Sequence, residues 1–578
     1  MGSASALRPA ACSVLGVLAA TCYLGRDVVQ LDPLPVPPAH PSVDVDLPRD
    51  FDPLAFLNSD FLAETTVHLR GRPLSELVRN YVVYSFCSSS TIVDLSSSLV
   101  AVLERWRTTA PLGIGEGLWS VVRFITRQTF FKMFAAGETP EACFPLMDRL
   151  AEFGCSSLLN YSVEAEENTA ASSDPSAPLI GPQADEIFTA IQVAGRYPEA
   201  PQRTVLSRDG KPDPHLQPVN TLKPTIVAIK LTGLIVDPQT LKRASQALQS
   251  SSSWQRGERQ SAHQLFPPSP ELSDRDTEGL QALYSALRKC CGEAKRLGVR
   301  VDIDAEQSWF QDAIDRYWEL LAAEFNQPAN VGGKKLPSPP IVFQTYQTYR
   351  TDAEQRLAAD LAYARQKGFS FGAKVVRGAY VDAENALAKR RGVASPIWPD
   401  KTRTDKCYDR CAALLVKTIA EDVQSGRDHQ TAALFASHNV DSARYVLEQL
   451  RDLKLVKNRG RGLDVLEELR GRIVFGQLLG MSDSLTVALT MLFSWSTRRP
   501  SPLDEDEQPP LMPMVLKYLP YGTADNVLPY LVRRAQENKA VLHGRGGARQ
   551  ERMAVGRELR RRIGLHRASH VEHQLLMA

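Results

Sequence analysis

Short runs of apolar and β-branched residues recur along most of this chain. They occupy Ser156–Val163, Thr225–Leu231, Arg300–Ile303, Ile341–Gln344, Ala373–Val376, Ala432–Ala436, Arg472–Phe475 and Val515–Leu519. Most are separated by stretches whose apolar residues return at helical spacing, among them Glu354–Lys367, Tyr408–Gln424 and Asp441–Leu453. Strand alternating with helix predicts parallel strands covered by helices. Eight such runs in one domain predict an α/β fold closed into a (β/α)8 TIM-like barrel.

The rhythm is absent at the start of the chain. Leu31–Asp52 is rich in proline and reads as an extended linker. From Thr65 to Leu150 the spacing is helical, as in Leu77, Val78, Tyr81 and Val82. Ala170–Pro182, Gln249–Asp276 and Arg498–Pro513 are rich in Ser, Pro and acidic residues and read as surface insertions. The expected organisation is a targeting segment and linker over 1–52, a helical region over 53–150, the barrel over 151–565 and a tail over 566–578.

Composition narrows the class. Of 578 residues, 43% are hydrophobic and 23% charged, the proportions of a globular protein. A formal net charge of +2 gives no electrostatic case for nucleic acid. No apolar run reaches the roughly 18 to 20 residues that span a bilayer, Ala10–Leu24 being too short. The first acidic residue is Asp27, preceded by Arg8, Arg26 and many small or hydroxyl residues, a composition like that of an organellar transit segment. The nine cysteines are scattered, which favours free thiols. Cys407 and Cys411 lie one helical turn apart without a second ligand pair, so a buried helix face is favoured over zinc and no metal is expected. Gly113–Gly117 lacks both the spacing and the preceding strand of a dinucleotide loop.

In a barrel of this kind chemistry gathers at the C-terminal ends of the strands. Here those ends carry Lys230, Asp304–Ala305–Glu306, Gln344–Thr345–Tyr346, Arg377–Gly378–Ala379–Tyr380, Ser437–His438–Asn439 and Gln477–Leu478–Leu479–Gly480, with Lys374 inside its strand. Any one could be an ordinary satisfied polar group. Six ends delivering polar side chains to one rim point to a site.

After the last strand and Tyr521–Gly522 comes Tyr530–Asn538, of helical composition. Adjacent arginines on a helix diverge by about 100°, so Arg533 and Arg534 could flank one anion. Glu537 stands where it can orient either guanidinium. An isolated Arg-Arg pair is more often a solvated charged face. The run Tyr-Leu-Val-Arg-Arg-x-x-Glu-Asn after Tyr-x-Pro-Tyr-Gly, however, resembles the signature of the proline dehydrogenase family, of the eukaryotic mitochondrial type. The Asp304, Gln344, Gly378 and His438 motifs agree with it in order, and the resemblance runs from about Phe130 to about Gly564.

The resemblance implies FAD-dependent oxidation of L-proline to Δ1-pyrroline-5-carboxylate. It further implies ubiquinone as electron acceptor and a peripheral place on the matrix side of the mitochondrial inner membrane. Arg533, Arg534 and Lys230 would bind the substrate carboxylate, held by Glu537 and Asp304. Tyr518 and Tyr380 would wall the pyrrolidine ring, with Leu478 packing on it. Ala305, Gln344, Lys374, Val376, Gly378, Ala379, Tyr380, His438, Asn439 and Leu478 would contact FAD. Many bacterial members have arginine where this chain has Lys374, which keeps the charge and loses the planar fork. Three alternatives stand beside this reading. A relative that oxidises hydroxyproline would carry a smaller residue at Tyr518, a barrel without flavin would not need the full rim, and an aldehyde dehydrogenase half would need more chain after the Arg-Arg helix.

Overall fold

The computed structural model describes residues 52–58, 62, 66–70, 72–88, 114–152, 154–162, 178–197, 226–251, 265–459, 462–469, 471–494, 514–540 and 548–564. Most of the expected targeting segment and linker, and the insertion Arg498–Pro513, lie outside them. Two compact units divide the chain. One is Ala135–Met481 with Ala488–Val527; the other is Met1–Phe134 with Ser482–Val487 and Leu528–Ala578.

The first unit is built on a closed barrel. Its strands are β1 (Ser156–Tyr161), β2 (Ile226–Ile229), β3 (Arg300–Ile303), β4 (Val342–Gln347), β5 (Phe371–Val376), β6 (Thr431–Ala436), β7 (Ile473–Leu478) and β8 (Val515–Tyr521). Each pairs in parallel with its sequence neighbours, and β1 pairs with β8. Closure leaves no exposed strand edge. All eight expected runs are strands, and β4, β7 and β8 extend beyond them. Thr345, Gln347 and Gln477 are buried members of the alternation, so polarity did not end these strands.

Helices follow the strands, including Ser308–Phe325 after β3, Ala353–Lys367 after β4, Lys401–Ser425 after β5 and Val440–Asp452 after β6. An added helix, Asp274–Leu297, precedes β3 and opens with a reciprocal capping box between Ser273 and Asp276. The Asp276 carboxylate also binds Arg243 and is buried. The far end of the expected insertion Gln249–Asp276 is therefore ordered by capping, and only 252–264 lie outside the described residues. Likewise Leu179–Gly181 pair with Leu234–Val236 through backbone hydrogen bonds. Cys407 and Cys411 are both buried on Lys401–Ser425. Ile114–Gly117, the described part of the run rejected as a dinucleotide loop, lie in the helix Ile114–Thr126.

Strand alternation decides which side chains enter the barrel. Leu158, Ile226, Ala228, Leu434, Val474 and Leu516, from five strands, pack together with Tyr518 and mark the interior face. By register, Asp302, Thr345 and Lys374 share it. Close packing shows at Gly372, where a Cβ would stand 2.8 Å from the Phe343 ring.

In the other unit, helix Leu74–Cys87 packs with Ala548–Arg562. The buried Glu558 carboxylate accepts from Arg561 and Arg562, and Arg562 also donates to the carbonyls of Arg72 and Leu69. Arg72 in turn bonds Asp483 at 2.8 Å. The carbonyls of the segment before helix Leu74–Cys87 are thus met by arginine.

Gly372→Ala should force Phe343 from its place and cost about 1 to 3 kcal/mol. Denaturant unfolding of the variant beside wild type measures that loss; an unchanged midpoint would mean that the ring moves freely.

Candidate active site

Val301 and Ile303 alternate along β3 with Asp302, and Asp304 follows the strand, so the two carboxylates stand one above the other on the interior side. Lys374, on β5, reaches across and donates to both. The Thr345 hydroxyl donates to Asp302 at 3.1 Å, and the Tyr518 hydroxyl donates to Asp304 at 2.9 Å. The Lys374 ammonium also lies 5.5 Å from the centre of the Tyr518 ring. Relative exposures of 0% for Asp302, 3% for Lys374 and 7% for Asp304 show a gradient from a sealed floor to a nearly sealed mouth.

Burial and charge act against each other here. Burial pushes Asp302 up to about 6 even though Lys374 opposes the shift. Burial also penalises ionised Asp304, but Lys374, Lys230 and the Tyr518 hydroxyl outweigh it and hold that carboxyl below its ordinary value. Lys374 is raised, because the two carboxylates outweigh desolvation of the ammonium. With two acids sharing one cation, the deeper acid is the harder to ionise.

Two further residues hold the rim. Glu306 is buried and accepts from the Thr232 backbone N–H at 3.0 Å and from the Thr232 hydroxyl. Its own backbone is bound by Gln311 and Gln347. Because Lys230 and Asp304 each lie two residues before a member of the Thr232–Glu306 pair, that pair sets the ends of β2 and β3 together. Arg377 does the same for β5 and β6. It donates to Asp405, Ser437 and Ser442, and its guanidinium stacks 4.5 Å from the Tyr408 ring centre.

A family model described as proline dehydrogenase matches residues 191–544. This chain belongs to the proline dehydrogenase family. The matched residues begin after β1, although β1 closes the barrel against β8. Bovine hydroxyproline dehydrogenase is 28% identical over 521 residues, 89% of this chain and 95% of its own length. Human proline dehydrogenase 1, mitochondrial, is 32% identical over 300 residues, 52% of this chain and 42% of its own. Mouse hydroxyproline dehydrogenase is 33% identical over 292 residues, 50% of this chain and 54% of its own. In the last two alignments the chain spans about half of the relative or less.

The residues singled out from this family's motifs fall into distinct places. Lys230, Asp304, Lys374 and Tyr518 gather at the barrel mouth, where the charges of Lys230 and Lys374 both act on Asp304. Val376 and Leu478 share the interior face by register with Gln347 and Tyr518. Ala305 follows Asp304 and is half-buried. Gly378 has φ of +134°, and a Cβ there would stand 2.5 Å from the Tyr349 ring, so backbone conformation and packing both demand glycine. Ala379 is exposed and Tyr380 half-buried, at the start of helix Val381–Arg391. His438 is half-buried. Asn439 caps helix Val440–Asp452, accepting from Asp441 and Ser442.

Gln344 departs from its expected place. Its register partner is Ala373, on the outer face, and its buried amide donates to Asp315 of helix Ser308–Phe325. The period of two sends it to the helix layer, while Thr345 and Gln347 face inward. Arg533, Arg534 and Glu537 belong to the other unit. There Glu537 pairs with Arg534, whose guanidinium lies 4.9 Å from the Tyr530 ring centre; Arg533 is half-buried.

Sequence reasoning assigned no role to Asp302, Glu306 or Arg377. The signal for Asp302 was available, since a second acid two residues before Asp304 on a strand must share its face.

Glu306→Ala should leave the Thr232 N–H and hydroxyl buried without their acceptor, costing roughly 1 to 3 kcal/mol. Glu306→Gln should cost less, because its amide oxygen can still accept from Thr232. Equal unfolding midpoints for Glu306→Ala and wild type would remove Glu306 from this structural role.

Proposed function

We propose that this protein oxidises L-proline to Δ1-pyrroline-5-carboxylate on a bound FAD. The observation that carries the reading is the Tyr518–Asp304–Lys374 arrangement at the barrel mouth, with Lys230 beside it, in a member of the proline dehydrogenase family. Its donor set fits a flavin, whose ring nitrogens and oxygens accept hydrogen bonds, and the interior positions of Val376 and Leu478 add an apolar flank. FAD would supply the two-electron acceptor that no side chain provides.

The side chains have separable tasks. Lys374, Val376, Gly378, Ala379, His438 and Asn439 are assigned to FAD. Arg533 and Arg534 are assigned to the substrate carboxylate on the family resemblance and on guanidinium chemistry, with Glu537 fixing Arg534. Lys230 is the third cation, and Asp304 balances it. Paired charge is what lets a zwitterionic amino acid leave water. Tyr518 and Tyr380 wall the ring and Leu478 packs on it, which fixes the carbon that loses hydride. Electrons then pass to ubiquinone, and the protein works on the matrix side of the mitochondrial inner membrane. The human relative's name and the acid-poor start of this chain support that location. Among the described residues no helix is long and apolar enough to cross a membrane, and no acidic, His or Cys cluster could hold a metal.

A second substrate has its own support. The bovine relative, matched over 95% of its length, is named hydroxyproline dehydrogenase. Proline is preferred here because Tyr518 keeps its bulk and its hydroxyl is already engaged by Asp304.

Anaerobic mixing with L-proline should bleach the flavin's visible absorbance. Arg533→Met or Arg534→Met should retain flavin but weaken proline binding by about 2 to 5 kcal/mol, as for truncation of one partner in a desolvated ion pair. Affinity within about twofold of wild type in both would take the carboxylate away from these arginines.

Wild type should prefer L-proline over trans-4-hydroxy-L-proline by at least about 10-fold in kcat/KM, or roughly 1.4 kcal/mol. Tyr518→Ser should shrink that ratio, mainly by losing proline activity, while Tyr518→Phe keeps the bulk and should keep the ratio. Steady-state kinetics with both substrates decides; an unmoved ratio in Tyr518→Ser refutes the specificity role.

A further inference from the structure

Asp302 is the most deeply buried charge of the mouth cluster, and the proposed reaction leaves it without a task. Its surroundings define what it can do. On its own strand, Arg300 lies below and Asp304 above. Arg300 donates to the Gly471 carbonyl and stacks 5.6 Å from the Phe343 ring centre. Across the lumen is Lys374, and from β4 come Phe343 and Thr345. Lys230 acts from the end of β2 on Asp304, and Tyr518 from β8 bonds to the same carboxyl. The interior face also carries the uncharged polar residues Asn160 and Gln347 by register and an apolar cluster of Leu158, Ile226, Ala228, Leu434, Val474 and Leu516.

We propose that Asp302 is a positioning residue that holds Lys374 from beneath and balances its charge, so that the mouth presents a near-neutral set of alternating charges to the flavin. The proposal rests on the flavin reading above. The order Lys230, Asp304, Lys374, Asp302 alternates in sign from rim to floor, and each adjacent pair interacts. Without Asp302, two ammonium groups would face one carboxylate where the side chains are almost closed to solvent. An uncompensated charge acts strongly there, because little solvent screens it. Excess positive charge beside a flavin favours the reduced form, which carries the added electrons. Asp302 thereby lowers the flavin's reduction potential and fixes where the Lys374 ammonium rests. Thr345 supports it as a hydroxyl donor to the ionised carboxylate.

The dependence on pH follows from burial. Asp302 is pushed up to about 6, so it carries its charge above that value and loses it below. Asp302→Asn, nearly equal in shape, mimics the protonated form at every pH.

Spectroscopic titration of the flavin midpoint potential against pH tests this, in purified wild type, Asp302→Asn, Asp302→Glu and Thr345→Val. The potential of Asp302→Asn should lie above wild type at pH values well over 6, with the gap closing as pH falls below 6. Asp302→Glu should recover part of the difference, and Thr345→Val should move the closing point to higher pH. Equal potentials for wild type and Asp302→Asn across the range overturn the proposal. If Asp302→Asn does not fold, Thr345→Val decides in its place, since a pH dependence of its potential identical to that of wild type also overturns the proposal. A wild-type protein that binds no flavin would instead defeat the functional reading itself.

Discussion

An ammonium group held between two carboxylates inside a closed barrel constrains most of what surrounds it. Lys374, Asp302 and Asp304 have almost no contact with solvent, and removing charges from water costs several kcal/mol per ion unless partners replace the lost hydration. The partners here come from separate strands: acids from β3 and its end, the base from β5, and hydroxyls from β4 and β8. A shift of one residue in any of these registers would turn one of these charges or hydroxyls out of the lumen toward the helix layer. The cluster therefore ties barrel register to site geometry. It also suits a lysine, since a compact ammonium can sit between two stacked acids where a planar guanidinium would demand more room.

Around this centre the rim is set by polar contacts between neighbouring strand ends. Glu306 joins the end of β3 to the turn after β2, and Arg377 joins β5 to β6 and to helix Lys401–Ser425. Both are buried or half-buried, so their bonds face little competition from water. The loops that such a barrel uses for chemistry are in this way attached to its rigid part. Gly378 acts in the same sense, because its missing Cβ makes room for Tyr349 and its positive φ turns the chain toward helix Val381–Arg391.

This chain is similar to relatives named for proline and for hydroxyproline, so likeness to them does not by itself decide the ring substituent. Selection requires a side chain that meets the ring. In the proposed reading that task falls to Tyr518, whose ring would supply the bulk while its hydroxyl donates to Asp304. Replacing it disturbs electrostatics and shape together, which is why the phenylalanine and serine replacements carry different information.

The order of strands and helices was legible in the chain because hydrophobic period is a local property, and all eight strand positions follow from it. Lys230, Asp304 and Lys374 could be picked out for the same reason, each standing in or at the end of an apolar run, whereas Tyr518 was marked only by the resemblance to the proline dehydrogenase family. Other features were decided only by tertiary packing. Gln344 and Thr345 are adjacent polar residues in one strand, yet one bonds Asp315 in the helix layer and the other Asp302 in the lumen. Asp276, in a stretch that reads as a surface insertion, is instead buried, closing a capping box with Ser273 and accepting from Arg243. Asp302 acquires its meaning from Lys374, 72 residues away, with which it shares the lumen. Local sequence determines which face a residue takes once the strand exists; only closure of the barrel determines what waits on that face, because those partners come from distant parts of the chain.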